Sequence, residues 1–395
     1  MTSEIGELKR KVVATIDGIR GQLEELALRI HGHPETKFEE ERAAEWLSEA
    51  AREAGFRVEK PLGGLPTAFR ASFRGGEGPR VAFLAEYDAL PGLGHACGHN
   101  LIGVASLGAA LGIALGLREF PGTVELIGTP GEEGGGGKVI LAQAGVFDGL
   151  AAVMLFHPSS RTILWKYALA RRKLFIEFTG KAAHASGSPD KGINALDAVI
   201  QTFNAINALR QHLPDDVRIH GIITDGGAAP NIVPDHAAAL FYVRALEDEY
   251  CDQVLERVMD CARGAALATG AQVNLELQGS YKSLRTNLPL AQAFKENLES
   301  LGWEFDQVDP KERLGSTDMG DVSHVAPAIH PYLSIGPAEL AGHSIEFREA
   351  AASERGLAAM LAAAKALAMT ALDVLYRPEL RDAILRDFEA SDRHD

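Results

Sequence analysis

Apolar residues in the first 160 positions of the chain follow two periods, one typical of helices and one typical of strands. Helical spacing extends over residues 5–31 and 39–54, and Pro34 marks the break between them. Strand and helical patterns then alternate, with predicted strands at 67–74, 80–85, 122–128 and 151–156 and predicted helices at 101–117 and 137–145. This alternation predicts an α/β fold in which helices sandwich a mostly parallel sheet.

The pattern changes after about residue 170. The order becomes strand, helix, strand, strand, helix, strand, which is the ferredoxin-like βαββαβ arrangement. Its predicted strands are 171–179, 217–224, 236–245 and 271–280, and its predicted helices are 191–212 and 247–268. The earlier alternation resumes with a helix at 288–301, a strand at 328–335 and a helix from 351. Because 395 residues exceed what one core usually supports, we predict two domains, one formed by 1–169 and 285–395 and one inserted at 170–284.

Composition and charge narrow the class of protein. The net charge of −15 argues against nucleic-acid binding, which needs a basic surface to replace counterions. Three cysteines are an odd number without a disulfide framework, as is typical of a reducing compartment. Residues 1–30 are charged and amphipathic and lack the apolar core of a signal peptide. We therefore expect a cytoplasmic protein.

One apolar run, LIGVASLGAALGIALGL at 101–117, resembles a membrane span. It is slightly short for that role, it is rich in small residues, and it follows a polar loop that contains several histidines. We interpret it as a buried helix that packs closely through its glycines, and we expect no membrane partner. Asn100 is the predicted N-cap of this helix.

Polar side chains follow three of the predicted strands, at residues 86–88, 132–133 and 157. Ligands of open α/β sheets bind outside the carboxyl ends of the strands. These three clusters are therefore expected to meet in one crevice, beside the loop His95–Asn100.

The loop offers Cys97 and His99, two positions apart. Thiolate and imidazole both suit zinc and similar ions, so together they could bind metal. A buried cysteine and a histidine that caps the next helix is the alternative. Glu132 and Glu133 are adjacent carboxylates, which repel unless a cation offsets them; one could then bind metal while the other faces a water. A solvated acidic turn is the alternative there, and His157 and His343 are uninformative when taken singly.

At these residues the sequence resembles a family of co-catalytic metallopeptidases that includes aminoacylase-1, carboxypeptidase G and the plant auxin-conjugate hydrolases. The resemblance covers nearly the whole chain, and its segments occur in the same order as in that family. They are EYDALPGLGHACGHN (86–100), GTPGEEGGGGK (128–138), GKAAHAS (180–186), GGAAPNIVP (226–234), GSTDMGDVSHVAPAIHPY (315–332) and AGHSIEF (341–347). The first and fifth segments are most similar to the branch with β-alanyl-lysine dipeptidase and aminobenzoyl-glutamate hydrolase.

The resemblance implies a site for two divalent metal ions per chain, Zn or Mn. The implied metal ligands are Cys97, His99, Glu133, His157 and His343. Glu132 would be the catalytic general base acting on a metal-activated water. Asp88 would lie outside the ligand set and orient an imidazole ligand by accepting a hydrogen bond from it. Other family members have a histidine ligand where this chain has Glu86, and we leave Glu86 out of the ligand set because Cys97 and His99 replace it.

The same resemblance assigns the inserted domain as a lid and dimerisation domain. His184 would stabilise the oxyanion, often across a dimer, and Asn231 and Arg244 would hold the free carboxylate of the substrate. The implied function is hydrolysis of the amide bond in dipeptides or aminoacyl amino acids by a homodimer. Hydrolysis of aryl or fatty N-acyl amino acids, as in aminobenzoyl-glutamate hydrolase, is the alternative. A third and remote alternative is a non-catalytic metal-binding subunit. It is remote because none of the implied ligands is missing, nor is the implied base.

Overall fold

The computed structural model describes residues 2–312 and 314–391, and the chain forms two compact units. The first unit contains the chain up to Tyr167 and again from Leu284, and the second contains Ala168–Ser283. The second unit also includes Gly315–Thr317, a segment that the predicted boundaries assign to the first domain.

In chain order, the elements within the described residues are as follows. Up to the second unit they are α1 (Thr2–Gly18), α2 (Arg20–His31), α3 (Glu41–Glu53), β1 (Arg57–Glu59), β2 (Phe69–Arg74), β3 (Arg80–Ala85), α4 (His99–Leu117), β4 (Thr123–Gly128), α5 (Gly137–Gln143), β5 (Ala152–Met154) and β6 (His157–Ser159). The second unit contributes β7 (Ala170–Thr179), α6 (Ala195–Arg210), β8 (Arg218–Asp225), β9 (His236–Ala245), α7 (Asp248–Thr269) and β10 (Gln272–Tyr281). The last part contains α8 (Leu288–Ser300), α9 (Met319–Ser323), β11 (Ala328–Ile329), β12 (Tyr332–Ser334), α10 (Ile345–Ala350), α11 (Glu354–Tyr376) and α12 (Pro378–Ser391).

The described strands of the first unit form a sheet in the order β1-β2-β4-β3-β5-β11. β4, β3, β5 and β11 are parallel, and β2 and β1 extend the sheet in antiparallel fashion. Because β4 and β5 flank β3, the chain reverses its direction of winding there, and the carboxyl ends of these three strands share one edge. The predicted α/β class with a mostly parallel sheet is confirmed.

Two predicted strands are interrupted. The segment 151–156 ends as β5 at Met154, and His157 begins a separate strand, β6, instead of ending the first. The segment 328–335 likewise divides into β11 and β12, and β12 pairs with β6. Pro331 lies at the second break and has no N–H to donate to a neighbouring strand, which accounts for the interruption.

Helix α4 is the predicted buried helix, and it packs against α1, α2 and α11. A Cβ added at Gly112 would lie 2.5 Å from Ile16 of α1, so glycine is what permits this close approach. By length and composition α4 and α11 could each cross a membrane, but 83% and 89% of their apolar windows are buried in the structure. The N-cap prediction was wrong: the helix begins at His99, and the amide of Asn100 donates to Ala27 O and Ala351 O instead, because the buried carbonyls of two neighbouring segments need a donor.

The second unit is a βαββαβ arrangement, as predicted. Its strands form an antiparallel sheet in the order β10-β7-β9-β8, with α6 and α7 packed on one face. Alternate residues of β7 and β9, such as Leu174, Ile176 and Phe241, point to these helices and form the core. Residues on the other face of the sheet are mostly polar or charged.

Candidate metal centre and active site

The loops after β3, β4 and β5 bring chemistry-bearing side chains to one place. Asp88 follows β3, Glu132 and Glu133 follow β4, and His157 follows β5. Gly98 precedes α4 with φ 75° and packs on Pro158, where an added Cβ would lie 2.8 Å from the proline ring. A glycine is therefore required for the Cys97 loop to approach the His157 strand.

Among the described residues, two groups of side chains that could each hold a metal ion share Cys97. The first group is Cys97, His99 and His157, and the second is Cys97, Glu133 and His343. In each group the candidate ligand atoms lie within 4.8 Å of one another. A further group contains His99, Glu132 and Glu133.

The distances fit metal ligands better than hydrogen bonds. Cys97 Sγ lies 3.5 Å from His157 Nε2, and Glu133 Oε1 lies 3.3 Å from His343 Nε2. Ligand atoms about 2.0–2.3 Å from one zinc ion in tetrahedral geometry are separated by about 3.3–3.7 Å. His99 Nε2 is also buried without a hydrogen-bond partner. The residues present therefore fit a metal centre.

Neighbouring groups orient both buried histidines. His99 Nδ1 donates to Asp88 Oδ1 over 3.0 Å, and His157 Nδ1 donates to Pro158 O over 2.7 Å. A carboxylate and a carbonyl can only accept, so Nδ1 carries the proton and Nε2 is left for an ion. Asp88 Oδ2 also accepts from Glu133 N over 2.9 Å, so one carboxylate positions a residue of each group.

The pKa shifts of the candidate ligands follow from burial and from these contacts. Burial alone would lower the pKa of His99, but the Asp88 carboxylate raises it well above its usual value. Burial lowers the pKa of His157 to about 4, so this imidazole is neutral at pH 7. Burial raises the pKa of the Cys97 thiol, so a cation must displace its proton before the sulfur can act as a thiolate ligand.

Glu132 lies in a different electrostatic environment from Glu133. Burial, followed by the charges of Asp318 and Glu86, raises the pKa of Glu132 well above the usual value. For Glu133 burial acts in the same direction, but contact with His343 and the charge of His99 outweigh it and lower the pKa. One carboxylate is thus suited to hold a proton and its neighbour to remain charged.

Sequence reasoning missed a buried ion-pair cluster beside Glu132. Lys138 is fully buried, and its Nζ lies 2.6 Å from Glu86 Oε1 and 2.7 Å from Asp318 Oδ1. Asp318 Oδ2 also accepts from the backbone N of Lys138 over 3.0 Å. Both residues lie in segments that carry the family resemblance, but only the tertiary structure pairs them. Glu86 binds this lysine, and its other oxygen is 3.5 Å from His99 Nε2.

A cavity of about 300 Å³ opens beside the candidate ligands within the first unit. Cys97, His157 and His343 contribute to its wall, together with Lys166 and Tyr332. Lys166 Nζ lies 4.4 Å from the centre of the Tyr332 ring. The cavity is large enough for a small amide substrate.

The three predicted site residues of the second unit lie in two separate places. His184 and Asn231 are exposed neighbours, since Ala185 N donates to Asn231 O over 3.0 Å and His184 pairs with Ile232. Arg244 lies near the other end of β9, half-buried, and donates to Ser316 Oγ over 3.0 Å. The chain does not bring Asn231 and Arg244 together.

Comparison with known proteins gives matches over most of the chain. A family model described as a peptidase dimerisation domain matches residues 172–269. Xaa-Arg dipeptidase of Mus musculus is 41% identical over 98% of this chain and 93% of its own length. A p-aminobenzoyl-glutamate hydrolase subunit from Escherichia coli K12 is 36% identical over 79% of this chain and 69% of its own length. A dinuclear metal-binding peptidase of the M20 family from Bacillus subtilis superposes with a TM-score of 0.68 at 23% identity, covering 91% of this chain and 99% of that one.

Proposed function

Because this chain belongs to the M20 peptidase family, it is a metal-dependent hydrolase of amide bonds in dipeptides or N-acyl amino acids, and we propose that it works with two ions per chain, Zn or Mn. The observation that carries the proposal is the pair of ligand groups that share Cys97. Cys97, His99 and His157 would hold one ion, and Cys97, Glu133 and His343 the other. Bound ions of this kind lower the pKa of a water and polarise the scissile carbonyl.

The side chains around the ions would transfer protons, orient a ligand and bind the substrate. Glu132 would take a proton from the attacking water and deliver it to the leaving amine, for which a raised pKa is suitable. Asp88 would keep His99 in the tautomer that presents Nε2. In the second unit, Arg244 would bind the free carboxylate of the substrate, and His184 would donate to the oxyanion.

The proposed enzyme is a homodimer, and the positions of the second-unit residues support this. His236 and Arg244 are eight residues apart on β9, which corresponds to about 26 Å at about 3.3 Å per residue. Asn231 and His184 lie before the start of that strand. A dipeptide is much shorter than this distance. Within one chain, His184 and Asn231 therefore lie too far from Arg244 to contact the same dipeptide. In a homodimer, His184 of the partner subunit and Asn231 of the partner subunit would approach the substrate held by Arg244.

Metal counting and substrate screening test the proposal together. Protein freed of metal and then loaded with Zn or Mn should cleave dipeptides or N-acyl amino acids, and amidation of the C-terminal carboxylate should abolish cleavage. Cys97→Ala should leave less than one ion per chain, whereas His343→Ala should retain roughly one, since only the thiolate serves both groups. Full metal content in Cys97→Ala would refute the shared ligand, and equal cleavage of amidated substrates would refute the carboxylate site.

We also propose a cytoplasmic location. The two cysteines outside the proposed metal site, Cys251 and Cys261, are free in the structure, and Cys261 is partly exposed. Free thiols persist in a reducing compartment. Fractionation of cells that express a tagged full chain would test this.

A further inference from the structure

The open face of the second unit's sheet carries a row of cations. Arg171 on β7, Arg244 on β9 and Arg218 on β8 are direct cross-strand neighbours, and Tyr281 on β10 completes the row. The adjacent row on the same face contains Lys173. Residues directly opposite each other in an antiparallel pair have their Cβ atoms about 4.5–5.5 Å apart. Arg171 and Arg244 therefore place two positive charges side by side.

Arg172, on the other face of the sheet, shows how a buried guanidinium is usually neutralised, by contact with carboxylates. Arg172 points to the helices, where Asp252 Oδ1 lies 2.6 Å and Asp248 Oδ1 3.2 Å from its nitrogens. Within the described part of the chain, neither Arg171 nor Arg244 makes an ion pair with a carboxylate. Arg171 is only 7% exposed, and the Nε atoms of both residues are buried without a hydrogen-bond partner.

Aromatic rings supply part of the stabilisation of the buried Arg171 cation. Arg171 Cζ lies 3.6 Å from the centre of the Tyr281 ring and 5.1 Å from that of Tyr242. A ring face attracts a cation but does not neutralise it. Burial and the charge of Arg171 lower the pKa of Arg244, which is the expected effect of an uncompensated neighbour. Two adjacent cations without an acid are unfavourable in the protein alone and favourable once an anion binds between them.

We propose that Arg171 and Arg244 together bind two carboxylates of one substrate, so that the enzyme prefers to release an acidic amino acid, aspartate or glutamate. This inference rests on the proposed hydrolytic function and identifies its substrate class. Arg244 would hold the α-carboxylate and Arg171 the side-chain carboxylate, with Lys173 in the next row adding positive charge. A monocarboxylic amino acid would neutralise only one of the two guanidinium groups.

The proposal distinguishes this enzyme from a relative. The mouse protein is named for substrates that end in arginine. Such a substrate would bring a third guanidinium to a row that already contains three arginines, and like charges in a partly buried site repel. We therefore expect basic amino acids to be poor leaving groups here.

Matched substrates test the assignment. Holoenzyme is assayed with N-acyl-glutamate, N-acyl-glutamine and N-acyl-lysine that share one acyl group, because glutamine has the shape of glutamate without its charge. Wild type should prefer glutamate to glutamine by on the order of 10- to 100-fold in kcat/KM, as expected for one charged hydrogen-bonded contact. Arg171→Gln should abolish most of this ratio, Arg171→Lys should retain part of it, and Arg171→Glu should shift the preference to lysine. Arg263→Gln, an exposed arginine on α7, is the matched control and should leave the ratio unchanged.

Binding measurements keep the test independent of turnover. Calorimetry on metal-loaded Glu132→Gln should show N-acetylglutamate binding at least about tenfold more tightly than N-acetylglutamine, and Arg171→Gln in that background should remove the difference. Equal binding of the two probes, or a glutamate-to-glutamine ratio unaffected by Arg171→Gln, overturns the proposal. Failure to cleave any amide would instead refute the proposed function, and the calorimetric result would still decide the role of Arg171.

Discussion

At the scale of single residues, Glu132 and Glu133 differ more in environment than their adjacency indicates. Successive side chains on this loop face different neighbours: Glu132 faces Asp318 and Glu86, whereas Glu133 faces His343 and His99. Burial raises the pKa of Glu132, and the charges of Asp318 and Glu86 add to this effect. Burial acts in the same direction on Glu133, but contact with His343 and the charge of His99 outweigh it and lower the pKa. This difference is consistent with the proposed roles of Glu132 as general base and Glu133 as metal ligand.

Substitution should separate the two roles. Glu132→Gln should reduce kcat by about 10²–10⁴-fold or more, because the variant cannot transfer the proton, while metal content stays at the wild-type level. Glu133→Gln should lose metal as well as activity, because the lowered pKa of Glu133 reflects a carboxylate that is charged and available to an ion. Elemental analysis of both purified variants, beside steady-state rates, checks this. High activity in Glu132→Gln would eliminate the general-base role.

At the scale of elements, buried charged side chains connect loops to neighbouring helices. Lys138 in α5 pairs with Asp318, which directly precedes α9. On the other side of the Glu132 loop, Glu40 at the start of α3 accepts from Gly131 N over 2.9 Å and from Thr67 Oγ1 over 3.1 Å. These two contacts position the segment that carries Glu132 and Glu133.

Breaking the first contact should be costly. Lys138→Met leaves Glu86 and Asp318 buried without their cation, and we expect a loss of about 3–5 kcal/mol in the free energy of unfolding. The double variant Lys138→Met with Asp318→Asn should recover part of this loss, because one buried charge is removed. Urea denaturation of the three proteins measures both effects. A single variant as stable as wild type would show that the cluster contributes nothing to the fold.

The second contact should make stability depend on pH. Burial raises the pKa of Glu40 from 4.5 to about 7, so between these values the folded state holds a proton that the unfolded state has released. Stability from this group is present below about pH 4.5 and is lost as the pH rises to about 7, by at most about 3 kcal/mol. Glu40→Gln should therefore gain stability relative to wild type between pH 5 and pH 8. A pH-independent difference in unfolding free energy between the two proteins would contradict this.

At the scale of the whole molecule, β8 and β10 are the edge strands of the second unit's sheet, and within the described residues each has a neighbouring strand on one side only. Unpaired edges invite pairing with another chain. On β8, Ile222 and Ile223 are 62% and 45% exposed, which is unusual for isoleucine in a strand and fits an edge that a second copy covers.

Light scattering should therefore find twice the chain mass of 42.2 kDa. The double variant Ile222→Asp with Ile223→Asp should be a folded monomer with low activity, because His184 and Asn231 would no longer reach the substrate of another chain. Leu277→Asp, on the opposite edge strand, is the matched control and should remain dimeric. A fully active monomer of the double variant would rule out a two-chain site.

The sequence alone determined much of the fold, because hydrophobic periodicity is a local property. The parallel strands of the first unit, the βαββαβ order of the second and the burial of α4 were all predicted from spacing. The failed predictions had two causes, hydrogen-bond partners that are distant in sequence and a local break at a proline. Asn100 bonds to carbonyls of Ala27 and Ala351 instead of capping its own helix, and Pro331 interrupts a strand whose apolar pattern continues.

Motifs likewise identified residue types at the metal centre, but only the tertiary structure assigned their relationships. Cys97 belongs to two groups of candidate ligands, Asp88 orients both His99 and Glu133, and Lys138 joins Glu86 to Asp318. Most of these contacts join residues that are distant in sequence, such as Asp88 and Glu133, 45 positions apart, and Lys138 and Asp318, 180 positions apart. The pairing of Arg171 with Arg244 depends on the register between β7 and β9. Predicting each strand separately from the sequence does not reveal which residues lie opposite each other. Charge and hydrogen bonding act through space, and so the chemistry of this site was decided by the fold.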